Sequence, residues 1–149
     1  MKVLTYLLLL SLPTFAQPYF GIGLQNKGFN MCTGILADKM DVQISFKTPL
    51  TSAEESKQLS AIIGRMILIS SKDDDNYSFT PSVGAAWLKS TDFTEYDLNP
   101  NKGPVDVVKF KAVYALEIGK DAHIGRISLT ARYIDRLYWG VNMRVFFNH

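Results

Sequence analysis

The histidine and serine side chains are the first candidates for chemistry, because a serine beside a histidine can be activated to attack an ester. The chain has two histidines, His123 and His149. Ser128 follows His123 by five positions, and residues five apart on a β-strand point to opposite faces. His149 is the last residue, and no Gly-x-Ser-x-Gly segment is present. The sequence supplies no catalytic residue, and we predict that the protein is not an enzyme.

Acidic and sulfur-containing side chains are the candidates for a metal site. Asp73, Asp74 and Asp75 are adjacent, whereas a calcium loop spaces its oxygen ligands along the chain. The run therefore predicts a solvated turn. Cys32 is the single cysteine, which excludes an internal disulfide, and no histidine has carboxylates at metal-ligand spacing. We predict no metal and no cofactor, and we expect Cys32 to be a small buried side chain.

The elements that would position any such residues are indicated best in the C-terminal half. There the apolar residues recur with a period of two, as in a β-strand with one face in an apolar medium. Four segments carry the pattern: 77–87, 108–118, 127–133 and 137–147. Most of the intervening residues are polar, charged or small. The pattern predicts four consecutive strands.

The N-terminal half alternates less regularly. Three segments keep the period of two: 20–25, 29–35 and 42–47. Residues 58–70 are apolar on both faces, which fits a buried helix as well as a strand. We favour a strand, because isoleucine is frequent there and the polar residues after it are typical of a turn. Residues 51–57 could begin with a short helical turn.

Taken together, the pattern predicts eight strands in one antiparallel meander. The two longest connections, 48–57 and 90–105, follow the third and the fifth strand, so both emerge at the same end of an up-and-down sheet. Short turns at one end and long loops at the other are typical of outer-membrane barrels. The predicted fold class is all-β, an eight-stranded antiparallel up-and-down transmembrane β-barrel.

The alternation alone allows two orientations of the apolar face. A soluble, lipocalin-like barrel would turn it inward around an apolar ligand, whereas a membrane barrel turns it outward. The apolar faces of the last four strands carry no charge, which favours the membrane. Tyr77 and Trp87 are ten residues apart on one strand. At about 3.3 Å per residue and a tilt near 40°, they would be separated by roughly 25 Å, the height of an apolar band.

The charged residues are nearly balanced, with 16 basic and 14 acidic, and form no basic stripe, so we expect no nucleic-acid partner. Six of them lie on the polar faces of the last strands: Lys109, Lys111, Glu117, Arg126, Arg132 and Arg144. Isolated charges in a narrow lumen would be costly, so this cluster predicts an ion-pair network that fills it. Glycines on the same polar faces would make room for the long side chains.

The first sixteen residues predict a secretory signal peptide, so residues 17–149 would form the barrel domain. Lys2 gives a positive start, residues 3–12 are mostly apolar, and small residues precede a cut after Ala16. The apolar run is well short of the ~20 residues that a helix needs to span a bilayer. We expect export through a cleaved signal peptide.

The connection 90–105 is the candidate for contact with an external partner, because long loops on rigid scaffolds often carry function. Phe93, Tyr96 and Leu98 stand there among acidic residues. The identity of such a partner is open.

The segment 138–147 resembles the C-terminal recognition signal of outer-membrane β-barrels, with alternating apolar residues that end in Phe147. It departs from that signal by the two residues after Phe147. With the signal peptide and the eight strands, it makes the mature chain similar to the small barrels of the OmpA and OmpX kind. The resemblance implies an outer-membrane location, outer-membrane lipid as a partner, and insertion by the outer-membrane assembly machinery. Lipid A deacylases are similar barrels with enzymatic activity, but the separation of His123 and Ser128 disfavours that alternative.

Overall fold

The computed structural model describes residues 16–26, 28–50, 57–72, 75–92, 105–122 and 125–147. These ranges form a single antiparallel sheet. Its strands are β1 (Gln17–Gln25), β2 (Gly28–Ala37), β3 (Met40–Pro49), β4 (Lys57–Arg65), β5 (Ile67–Lys72), β6 (Asp75–Asp92), β7 (Val105–Ala122), β8 (Gly125–Tyr133) and β9 (Leu137–Phe146). In the described part of the chain, no helix is long and apolar enough to cross a membrane.

The sheet closes into a barrel of eight strand positions. Strands β1 to β4 pair in sequence order, and so do β5 to β9; β9 also pairs with β1, and β4 pairs with β6 rather than with β5. β5 follows β4 after Met66 and pairs with β6, so the two together occupy one position of the barrel. The predicted eight-stranded antiparallel meander is confirmed, and residues 58–70 are strand rather than helix. The predicted helical turn over 51–57 lies almost wholly outside the described residues.

The interruption between β4 and β5 has a local cause. Gly64 pairs with Ser82 and Ile67 pairs with Phe79, so the interruption lies opposite Pro81. Proline has no N–H to donate to a sheet and is confined to sites where pairing is broken. On the other side of the strand, the N–H of Met66 donates to the carbonyl oxygen of Lys39 at 2.7 Å, which continues the β3–β4 register by one residue.

The strand register fixes the tilt of the barrel. A ladder of paired residues that starts at Tyr77 and passes once around the barrel returns to β6 at Trp87, ten residues further on. Closing eight strands with such a stagger requires a tilt of about 40° to the barrel axis.

The apolar faces point outward. Large exposed apolar side chains occur on every side of the barrel, among them Ile22, Ile44, Val83, Leu129 and Val141. Within the described ranges, the buried side chains are mostly polar or charged. The alternative of a soluble barrel with an apolar interior is therefore wrong for this chain.

The two ends of the barrel differ. At the terminal end, where β1 begins and β9 ends, Asp38 and Lys39 form a tight turn with positive φ angles of 44° and 66°. At the opposite, loop end, β6 and β7 rise above their neighbours. Tyr114 pairs with Tyr133, the last residue of β8, and residues 105–113 of β7 pair with β6 alone. The result is a protruding hairpin at the loop end.

Candidate functional site in the barrel lumen

A shared arginine joins two carboxylates in the lumen near the terminal end. Nη1 of Arg144 lies 2.7 Å from Oδ2 of Asp41, and Nη2 of Arg144 donates to Oε2 of Glu117. All three side chains are less than one-tenth exposed: Arg144 at 3%, Asp41 at 5% and Glu117 at 7%. One cation therefore bridges β3, β7 and β9 across the lumen. Because charge-assisted hydrogen bonds are short and directional, this bridge fixes the relative positions of the three strands.

A second arginine extends the network toward the terminal end. Nε of Arg126 lies 3.2 Å from Oδ1 of Asp121 and 3.8 Å from Oε1 of Glu117. Its Nη1 donates to the sulfur of Met66 at 3.4 Å. The charges alternate in sign from Asp41 through Arg144, Glu117 and Arg126 to Asp121. Such an alternation offsets part of the cost of removing each charge from water.

Tyr19 completes the network on β1. Its hydroxyl donates to Oδ1 of Asp41 at 2.5 Å, and the Arg144 guanidinium lies 4.7 Å from the centre of its ring. Asp41 thus accepts from an arginine on one carboxylate oxygen and from a tyrosine on the other.

Glycines make the space that these arginines occupy, as the sequence predicted. A Cβ at Gly21 would lie 2.6 Å from Sγ of Cys32 and 3.0 Å from Cγ of Arg144. A Cβ at Gly119 would lie 2.5 Å from Nε of Arg126. Both positions require glycine because buried side chains pass directly over the backbone, those of Cys32 and Arg144 at Gly21 and that of Arg126 at Gly119.

Arg132 lies further toward the loop end and has neutral partners. Its Nη1 donates to Oγ of Ser45 at 2.6 Å, and its Nη2 donates to Oε1 of Gln43 at 2.7 Å. Ser45 also shares a hydrogen bond of 2.7 Å with Ser60. The guanidinium thus joins β8 to β3 through uncharged acceptors.

A cluster of buried apolar side chains lies toward the loop end of the lumen. The cluster consists of Ile62, Ala86, Leu88, Val113, Ile134 and Tyr138. The ammonium of Lys47 lies 3.8 Å from the centre of the Tyr138 ring, a cation–π contact that suits a buried lysine. Ile62 explains the apolar residues on both faces of β4: Ile63 points outward, while Ile62 points into this cluster. In β5, Ile67, Leu68 and Ile69 are all exposed, where the register with β6 is irregular between Leu68 and Ser70.

Four of the six predicted lumen charges lie inside the barrel: Glu117, Arg126, Arg132 and Arg144. Lys109 and Lys111 do not, and this part of the prediction is corrected. Both are exposed, because they belong to the stretch of β7 that rises past the end of β8. The predicted loop contacts Phe93, Tyr96 and Leu98 lie outside the described residues, as does His123.

Sequence reasoning missed Asp41, Asp121 and Tyr19. Asp41 immediately precedes the predicted third strand, 42–47, and its role depends on β3 beginning at Met40. One signal was available: Asp41, Gln43, Ser45 and Lys47 alternate with Met40, Val42, Ile44 and Phe46. Extending the period of two by one step would have placed Asp41 on the inner face.

The arrangement joins three acidic side chains to Arg144 and Arg126, gives Arg132 neutral acceptors, and fills the cross-section of the barrel. Arg126, Tyr19 and Tyr138 are almost completely buried, so the lumen is packed with side chains. Ser128 faces the lumen, on a strand face that carries no histidine within the described range. Among the described residues, no three His, Cys, Asp or Glu side chains are grouped as metal ligands would be.

No protein-family model and no curated protein matches the chain. Solved structures match its fold. The N-terminal β-barrel domain of Pseudomonas aeruginosa OprF has a TM-score of 0.58 at 12% identity, over 90% of this chain and 96% of that one. The Yersinia pestis outer-membrane protein Ail in a phospholipid nanodisc has a TM-score of 0.54 at 14% identity, over 89% and 99%. Ail in complex with the heparin analogue sucrose octasulfate has a TM-score of 0.55 at 15% identity, over 89% and 95%.

At these identities the likeness concerns the fold. It agrees with the closed antiparallel barrel described above. The chain has the eight-stranded fold of transmembrane outer-membrane β-barrels.

Proposed function

We propose that this protein is a non-enzymatic outer-membrane barrel that presents its loop end to an external partner. The observation that carries the proposal is the inverted polarity of the barrel, with apolar side chains outward and ion pairs inward. A water-exposed protein rarely leaves so large an apolar surface uncovered, and lipid is the medium that suits it.

Two further features of the outer surface support a lipid environment. Aromatic side chains lie near both ends of the apolar band, with Tyr77 and Phe147 at the terminal end and Trp87, Tyr133 and Trp139 toward the loop end. Such aromatic girdles mark the two interfaces of transmembrane barrels. The closed ladder from β1 to β9 also satisfies backbone groups that hydrocarbon would leave unpaired.

The route to the membrane follows from the N-terminal segment. Cleavage of a signal peptide after Ala16 would leave Gln17, the first residue of β1, as the new N-terminus. We propose export, delivery to the outer-membrane assembly machinery, and insertion with the terminal end facing the periplasm. The longer connections would then face the exterior, as in other outer-membrane barrels.

The protruding hairpin is the proposed contact surface. It carries the exposed Lys109 and Lys111 on one face and continues into the connection that holds Phe93, Tyr96 and Leu98. One structural neighbour, Ail, is known in complex with a sulfated heparin analogue. The exposed lysines make an anionic partner our first hypothesis for this chain, with the aromatic loop as the alternative contact.

The test is a fractionation followed by a gel. The full chain is expressed in a Gram-negative host, outer membranes are isolated, and the extracted protein is run in SDS with and without boiling. We expect outer-membrane recovery, a mature N-terminus at Gln17, and a change of mobility on boiling. A soluble periplasmic protein without a mobility shift would contradict the proposal.

A further inference from the structure

An open groove crosses the outer surface of the barrel near the terminal end. Its volume is about 500 Å³, and its lining includes Met40, Ile63, Arg65, Pro81, Val83 and Tyr114. The groove arises because Val83 pairs with Ile63 on one side and with Tyr114 on the other. The compact side chains of Val83 and Pro81 form its floor, and the longer side chains of the neighbouring strands form its walls.

Arg65 is the charged member of this lining. It is the last residue of β4, its side chain is exposed on the outer face, and it pairs with Met40 beside the turn at the terminal end. The ion pairs found in the described ranges do not involve it. A lipid-facing arginine is unfavourable unless its guanidinium reaches the interface or meets an anion there.

We propose that the groove binds one phospholipid of the periplasmic leaflet. An acyl chain lies along Val83 and Pro81, and the phosphate contacts the guanidinium of Arg65. A guanidinium matches phosphate geometry with two parallel hydrogen bonds, which gives the site an orientation. This inference rests on the proposed function, because it requires that the outer face of the barrel lies in lipid.

The occupant is identified by the chemistry of the groove. The floor and most of the walls are apolar, which suits hydrocarbon, while the single cation lies at the end next to the membrane interface. An anionic phospholipid suits the whole groove, because its acyl chain covers the apolar floor and its phosphate contacts Arg65.

The test is lipid binding by the purified barrel in a non-ionic detergent, followed by native mass spectrometry. Dioleoyl phosphatidylglycerol is titrated against dioleoylglycerol, which has the same acyl chains and no phosphate. We expect the wild-type barrel to retain one phosphatidylglycerol and to bind dioleoylglycerol at least about tenfold more weakly. This comparison needs no variant.

Three variants then locate the site. Arg65→Gln should weaken phosphatidylglycerol binding about tenfold. Val83→Trp should abolish retention by filling the groove. Lys57→Gln is the matched control, because Lys57 is an exposed outward cation at the opposite end of the same strand, and it should bind as the wild type does.

The outcomes separate this inference from the proposed function. If the wild-type barrel shows no mobility shift on boiling, the proposed function fails and the lipid site fails with it. If the shift is present but Arg65→Gln binds as the wild type does, the lipid site alone is overturned. Equal binding of the two lipids, or an equal loss in Lys57→Gln, also overturns it.

Discussion

The two halves of the lumen are stabilised by different interactions. Toward the terminal end, Asp41, Arg144 and Glu117 are held by charge-assisted hydrogen bonds. Toward the loop end, Leu88 and Val113 belong to an apolar cluster that includes Tyr138. Both halves are buried, and both join strands that are distant in sequence. They differ in how strongly each depends on the orientation of its partners.

That difference predicts different responses to substitution. An ion-pair network in a low-dielectric lumen is satisfied only as a complete set, because each removed partner leaves another charge buried and unpaired. An apolar cluster loses the contacts of the atoms that are removed, and its neighbours can relax into part of the space. We therefore expect a single substitution to lower the free energy of unfolding more in the terminal half of the lumen than in the loop half.

The largest effect should follow removal of the shared cation. Arg144→Met leaves Asp41 and Glu117 buried without their bridge and should lower the free energy of unfolding by about 3–5 kcal/mol. Urea unfolding in lipid vesicles, followed by tryptophan fluorescence, measures it. Arg132→Met is the control, because its acceptors Ser45 and Gln43 are neutral and it should cost less. Equal losses in the two variants would contradict the distinction between charged and neutral partners.

A smaller loss is expected in the apolar half. Leu88→Ala removes a side chain that is 4% exposed and should lower the free energy of unfolding by about 2–3 kcal/mol. Leu88→Met keeps the volume and should cost less than about 1.5 kcal/mol. The same urea titration compares both. A loss from Leu88→Ala as large as that from Arg144→Met would show that the two halves do not differ as proposed.

The fold was readable from the sequence because a period of two is a local property. On β6 to β9 each outward residue is apolar almost without exception, so strand, face and order could be predicted together. The weak point was β4 and β5, where Ile62 serves the inner cluster and Pro81 interrupts pairing from the neighbouring strand. Neither cause is visible within the segment 58–70 itself.

The lumen was less predictable because its contacts depend on the stagger of the closed barrel. Alternation places Glu117, Arg126 and Arg144 on the inner face, but does not say that Asp41 lies opposite Arg144. Lys109 and Lys111 have the inward phase of β7 and are nevertheless exposed, since β7 outruns β8. The sequence therefore predicted correctly on which face of β7 these lysines lie, but it did not predict how far β7 extends beyond β8 along the barrel axis.

Two tyrosines provide a matched test of the same comparison. Tyr19→Phe removes the donor to Asp41 and should cost about 1.5 kcal/mol, as expected for a hydrogen bond to a buried charge. Tyr138→Phe removes a hydroxyl that meets Arg136 and Asp135 near the loop end, where the contacts are partly exposed. It should cost only about 0.5 kcal/mol. Urea midpoints of the two variants at equal lipid composition decide the order, and a larger loss from Tyr138→Phe would reverse it.

The smallest predicted effect tests whether burial, rather than the distance between the charges, sets the strength of an ion pair. Nζ of Lys89 lies 2.7 Å from Oδ2 of Asp106, the same separation as between Arg144 and Asp41, but the Lys89 and Asp106 side chains are 57% and 54% exposed. A double-mutant cycle with Lys89→Ala and Asp106→Ala should give a coupling energy of about 0.2–1 kcal/mol that decreases with added salt. The cycle on Arg144 and Asp41 should give a larger coupling with little salt dependence. Because the two pairs share one distance, distance cannot account for unequal couplings. Equal couplings would mean that the lumen is as well screened as the exterior.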